Sequence, residues 1–228
     1  MCVSGERSTL GGMKFCVSLF LLLLVHPFVA AQNAASVETA PRHFRWSQPQ
    51  AHELDYDRTI RKSTTLTPAE KKSLIDAIVQ TLKREGDDEQ MTERELIDLA
   101  SETRVELVDL NGSGQLEVIA QANGLGPCGG TGNCVFWIFQ LTPSGARVLL
   151  DTTLTGGVRF ELLTVRPWMT NGFKDIVLAS HSSATARNIW WFRYANGKYT
   201  PSTCYYLSWI GDHGEPLKNP DISNEPCD

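Results

Sequence analysis

Asp109-Leu110-Asn111-Gly112-Ser113-Gly114-Gln115-Leu116-Glu117 lies between two apolar runs, residues 105–108 before it and 118–120 after it. Side-chain oxygens fall at its first, third, fifth and ninth positions, and the glycines between them let the backbone coil. Such a stretch either wraps a hard cation or builds a polar turn in which Asp109 and Asn111 bond their own backbone. Both readings predict strand, turn, strand. Outward from it, β signals dominate from Arg104 to about Tyr206. Residues 105–109, 116–122, 135–141 and 147–151 read as strands, with a hairpin turn at Thr142-Pro143-Ser144-Gly145. Residues 160–165, 175–180, 189–194 and 198–200 repeat the layout, and Asn196-Gly197 is a strong two-residue hairpin signal.

The two stretches correspond in detail. Gln115-Leu116-Glu117-Val118-Ile119 matches Phe173-Lys174-Asp175-Ile176-Val177, and Phe136-Trp137-Ile138-Phe139 matches Trp190-Trp191-Phe192. The expected fold is therefore mainly β with an N-terminal helix. It has two propeller-blade-like, four-stranded antiparallel units, about 104–151 and 158–204. Two blades are too few to close a propeller, so the sheets must pack on one another, be covered by the helix or hide their faces by oligomerisation. That helix begins at the capping box Thr67-Pro68-Ala69-Glu70 and carries an apolar stripe of Leu74, Ile75, Ile78, Val79 and Leu82. The stripe is a docking face for the domain core or, alternatively, for an envelope assembly.

The N-terminus reads as a targeting segment. Lys14 precedes an apolar run, and Val29-Ala30-Ala31 offers the small residues a signal peptidase requires. The expected organisation is a signal peptide at 1–31, a flexible leader at 32–63 and a β-rich domain at 64–228. Secretion or a periplasmic location follows as an expectation, with no stable membrane insertion after cleavage. Cleavage would leave Cys128, Cys134, Cys204 and Cys227. An even count in an exported chain reads as two disulfides. Of the three pairings, Cys128–Cys134 and Cys204–Cys227 are favoured by closeness in sequence, worth about 2 and 3 kcal/mol on the loop-entropy model. A net charge of −5 argues against a nucleic-acid partner.

A strand, then Asp-x-Asn-x-Ser-Gly-x-x-Glu, then a hydrophobic strand resembles the FG-GAP/VCBS-type repeats of integrin-like propellers and exported bacterial proteins. The resemblance implies calcium as cofactor, with side-chain oxygens from Asp109, Asn111, Ser113 and Glu117 and a backbone carbonyl from Gln115. It also implies adhesion, ligand binding or scaffolding. Asn111 and Ser113 stand where aspartates are common. The second unit keeps Asn171, Gly172 and Asp175 but has Pro167 where the first acidic ligand belongs.

The remaining candidates are fewer. Aromatic residues cluster late in the chain, and Trp191, Tyr205 and Trp209 are the expected exposed platforms for a glycan or protein ligand. The loop Cys128-Gly129-Gly130-Thr131-Gly132-Asn133-Cys134 lacks the lysine of a phosphate-binding loop and reads as a disulfide-pinned connection. The sequence contains no Gly-x-Ser-x-Gly and no His-Glu-x-x-His. A hydrolase would use His181 with a nearby serine or carboxylate, and Ser182, Ser183 and Asp175 are the ones close to it in sequence. The expectation is an exported, non-catalytic binding or interaction protein. The alternatives are an envelope-directed hydrolase and a structural subunit of an envelope assembly.

Overall fold

The computed structural model describes residues 58–85, 91–124, 127–155 and 158–227. The expected signal peptide and most of the expected leader lie outside the described residues. Helix α1 (Pro68–Glu85) starts on the capping box. The Thr67 N–H donates to Glu70 Oε2 at 2.7 Å, and the Glu70 N–H donates to Thr67 Oγ1 at 3.3 Å. Helix α2 (Glu93–Ser101) is capped in the same way by Thr92 and Glu95. Leu74, Ile78, Val79 and Leu82 are buried with Leu96 and Ala100 of α2 against one face of the first sheet. The α1 stripe is thus consumed by the domain's own core and is not presented to an outside assembly.

The first sheet is a four-stranded antiparallel meander of β1 (Arg104–Val108), β2 (Glu117–Gln121), β3 (Phe136–Thr142) and β4 (Gly145–Asp151). The second is a five-stranded meander of β5 (Leu162–Thr170), β6 (Phe173–Ser183), β7 (Ala186–Ala195), β8 (Lys198–Ile210) and β9 (Pro216–Glu225). Neither closes. Asn196 and Gly197 take φ of 52° and 84°, and Asn171 and Gly172 take 49° and 82°. These are two-residue turns of the kind that matches strand twist, joining β7 to β8 and β5 to β6.

The repeat is real in register but imperfect in extent. Val118 pairs with Phe139 in the first sheet as Ile176 pairs with Phe192 in the second. The expected four-stranded second unit has a fifth strand, however, and β8 runs through Pro201 to Ile210. Pro216 and Pro220 suppress a strand reading of β9. They are tolerated because an edge strand has N–H positions that pair with nothing. The Asp109 loop is also longer than its counterpart: residues 109–116 join β1 to β2, where Asn171 and Gly172 alone suffice in the second sheet.

The two sheets stack front to back. Ile119, Phe136 and Ile138 of the first meet Ile176, Leu178, Trp190 and Phe192 of the second in one shared core. The helices cover the other face of the first sheet. The other face of the second carries its own apolar cluster of Leu162, Val177, Ala179, Ile189, Trp191, Tyr205 and Leu207. Residues 58–63, expected to belong to a flexible leader, are docked: Thr59 bridges Arg104, Ile60 is buried, and Arg61 pairs with Asp98 and Glu102. One apolar side chain and a backbone bridge leave no period to read. Both favoured disulfides are present, Cys128–Cys134 and Cys204–Cys227, with S–S distances of 2.12 and 2.05 Å.

Candidate functional site

The loop expected to surround calcium bonds to itself. Asp109 Oδ1 accepts from the Gly112 N–H at 2.7 Å, and its Oδ2 accepts from the Gly114 N–H at 3.1 Å. Asn111 Oδ1 accepts from the Ser113 N–H, and Ser113 Oγ accepts from the Gln115 N–H. Glu117 is fully buried and turns inward, its oxygens accepting from the Leu110 N–H and Asn111 Nδ2, both at 2.9 Å. Gln115 Nε2 reaches the Leu141 carbonyl. Among the described residues, no three carboxylate, imidazole or thiol groups gather at one point. The five residues hold a turn, and the turn is fastened to the second sheet. The Lys174 N–H donates to the Leu110 carbonyl at 2.7 Å, and Lys174 Nζ donates to the Asp109 carbonyl at 2.8 Å.

The hydrogen bonds predict how the loop responds to metal. Asp109→Ala removes acceptors from two N–H groups and is expected to cost about 1 kcal/mol. That loss should be the same with calcium and with a chelator. A melting temperature that rises with calcium in wild type but not in Asp109→Ala would instead identify a bound cation.

The expected aromatic platforms are displaced. Trp191 is 7 % exposed and Tyr205 4 %, and Trp209 is half-buried against the same cluster. Alternation places Trp191 on the face opposite Trp190, but that face is apolar too, so neither side of β7 is left for solvent. Trp191 Nε1 donates to Asp175 Oδ2 at 2.9 Å, and Arg193 Nε lies 3.6 Å from the same oxygen. The exposed aromatic is Trp168, which the sequence reading missed. It stacks on Trp191 with ring centroids 5.6 Å apart, on a bulge of β5 beside Arg166. Bulges re-aim side chains in this way, and no local pattern announces them.

His181 meets the carboxylate of Glu161. Its Nε2 lies 2.9 Å from Glu161 Oε2, and that oxygen also accepts from Arg187 at 2.7 Å. Asp175 stands six positions along the same strand, roughly 20 Å away at strand rise. Asn133 clamps the His181 backbone, with Nδ2 donating to its carbonyl and Oδ1 accepting from its N–H. The disulfide-pinned loop thereby docks on the second sheet.

Among the described residues, one concave feature opens where β4 faces β8. A cleft of about 460 Å³ lies between the sheets, within the range of small-molecule sites. Leu149, Trp190, Phe192, Tyr199 and Pro201 form its apolar walls, and Cys227 stands at one end. The β7–β8 ladder shifts register between Trp191 and Phe192, where Phe192 faces Pro201. A proline that cannot donate and a bulge beside it bend β8 away and leave the gap. At the rim, Arg84 of α1 donates to Asp151 Oδ2 at 3.0 Å. Asp151 Oδ1 is committed to the Thr153 N–H and hydroxyl. Lys198 is exposed at the rim, and Leu154 is 66 % exposed there. A second, shallower groove of about 670 Å³ runs between the start of α1 and the β3–β4 turn. Glu70, the one ionisable residue lining it, is occupied in capping α1.

The cleft residues carried no signal in the sequence, because tertiary packing alone brings α1, β4 and β8 together. Comparison with known family models, curated proteins and solved structures gives no match, so the likeness to FG-GAP/VCBS repeats rests on the loop and the strand layout alone.

Proposed function

We propose that this is an exported, non-catalytic binding protein whose ligand enters the cleft between the two sheets. The observation that carries the reading is the cleft itself, with apolar walls from both repeats and a charged rim. Buried apolar walls supply affinity, and a few polar groups at the mouth fix orientation. The two disulfides agree with an oxidising compartment. Among the described residues no helix is long and apolar enough to cross a membrane.

The alternatives make different demands. A hydrolase centred on His181 needs a nucleophile, and the ring is engaged with Glu161, whose same oxygen also accepts from Arg187. An envelope subunit docking through α1 would need the stripe that the core buries. The test of the binding reading is native mass spectrometry of the disulfide-bonded protein from its own host, followed by release and identification of any bound small molecule. A co-purifying ligand displaced by Leu154→Trp, which narrows the mouth, is the expected outcome. Ligand retained in that variant, or turnover of chromogenic esters lost in His181→Ala, would overturn it.

A further inference from the structure

We infer that the cleft takes an anionic amphiphile: an acyl chain of moderate length ending in a carboxylate or phosphate. The inference rests on the cleft being the binding site and goes on to name the chemistry of its occupant. The walls are mainly apolar, from Leu149, Trp190, Phe192 and Pro201, with the Tyr199 hydroxyl turned away to the Lys174 carbonyl at 2.8 Å and the Thr155 hydroxyl donating to the Thr152 carbonyl at 2.7 Å; Thr200 adds one further hydroxyl to the lining. Such walls reward burial of hydrocarbon more than they reward a sugar, which needs a partner for each of its many hydroxyls. At about 30 Å³ per water-sized group, the volume holds on the order of 15 heavy atoms.

The charge at the mouth sets the sign of the head group. Arg84 and Lys198 bring two positive charges and Asp151 one negative. Asp151 is spoken for on both oxygens, by Arg84 on one side and by Thr153 on the other. One positive charge is left over at the rim of a chain whose net charge is −5. Arg84 is engaged through Nε with the Gln80 carbonyl and through Nη2 with Asp151, so the exposed Lys198 ammonium is the positive charge left to meet an oxyanion. Leu154, two-thirds exposed at the same rim, packs on the chain as it enters. A cationic or neutral amphiphile would gain the same walls and lose the rim.

The test measures binding of dodecanoate, dodecyl phosphate, dodecanol and dodecyltrimethylammonium to the disulfide-bonded protein, all below their micellar concentrations. Calorimetry and tryptophan fluorescence provide the readouts. Vesicles of anionic phospholipid form a separate arm that distinguishes a membrane source from free acyl anions. Dodecanoate and dodecyl phosphate are expected to saturate one site, about tenfold more tightly than dodecanol at low ionic strength, an advantage that shrinks as salt is added. Lys198→Glu lies on the exposed surface and leaves the core untouched. It should weaken the anions by about tenfold and leave dodecanol unchanged. Equal affinity for all four amphiphiles, each lost in Leu154→Trp, would overturn the anionic head group and leave the binding cleft standing. No saturable binding, or binding unaltered by Leu154→Trp, would overturn both.

Discussion

Glu117→Ala is expected to destabilise the domain by about 3 kcal/mol, more than any other substitution in the Asp109 loop. The carboxylate is fully buried and accepts from two donors, the Leu110 N–H and Asn111 Nδ2. Its removal leaves both without a partner in the dry space between loop and core, at roughly 1–3 kcal/mol for each buried group. Leu110 then loses the contact that fixes it in the shared core, and the Leu110 carbonyl is the acceptor for the Lys174 N–H of the second sheet. The effect therefore spreads from one loop to the seam between repeats. Urea denaturation at neutral pH measures it, and a loss below about 1 kcal/mol would show that the loop reseats its donors on other acceptors.

The same carboxyl gives the stability a pH dependence of known sign. Burial pushes Glu117 above the ordinary carboxylate range, nearby Asp109 pushes in the same direction, and the Leu110 N–H opposes them. The folded chain thus holds this proton to a higher pH than the unfolded chain does. Its contribution is complete below the unfolded value and declines as pH rises through the folded one. Glu117→Gln has no such proton to lose. Its melting temperature, whatever its absolute value, should fall less steeply than that of wild type between about pH 4 and 7. Parallel profiles would remove Glu117 from the titration.

What the sequence disclosed, and what it hid, follows from the range of the interactions involved. Capping boxes at Thr67 and Thr92, turns at Asn196-Gly197 and at Pro143-Ser144, and the pairing of near cysteines are local, and each appears where the residues place it. The correspondence of Val118 with Ile176 was legible because strands repeat their partners. Which face of β7 meets solvent was not, because both faces are apolar and alternation alone cannot rank them. Trp191 and Tyr205 are buried for that reason. The cleft was illegible for a stronger reason: Arg84, Leu154, Lys198 and Cys227 come from four separate segments and share no motif. Oxygen spacing in the Asp109 loop fits a calcium loop and a self-bonded turn alike, and spacing alone does not separate them. It could not reveal that Glu117 points inward, because the direction of a side chain at a strand entrance is set by which sheet lies beneath it.

Phe160→Ala is expected to cost about 4 kcal/mol and to destabilise both sheets together. Phe160 sits on the crossover between repeats, fully buried, with its ring edge-on to Trp190 at 5.7 Å and to Phe192 at 6.3 Å. Its backbone pairs in both directions with Cys134, donating to the Cys134 carbonyl at 2.8 Å and accepting from the Cys134 N–H at 2.7 Å. One residue thus joins the disulfide-pinned end of the first sheet to the aromatic centre of the second. Truncation opens a cavity in a core that the two sheets share, and neither can collapse into it without pulling from the other. Far-ultraviolet circular dichroism follows both sheets and the helices, while tryptophan fluorescence is weighted to the second sheet, which carries Trp168, Trp190, Trp191 and Trp209, four of the six tryptophans; Trp137 lies in the first sheet, so Trp137→Phe serves as the background for the fluorescence arm. In wild type and in Phe160→Ala the two probes should trace one coincident transition, shifted to lower urea in the variant. Phe160→Leu, which keeps most of the volume, should recover more than half of the loss. A first sheet that melts later than the second would show that the helices and β1–β4 hold together on their own. The cleft would then lie between independently stable parts, and ligand binding would be expected to couple them.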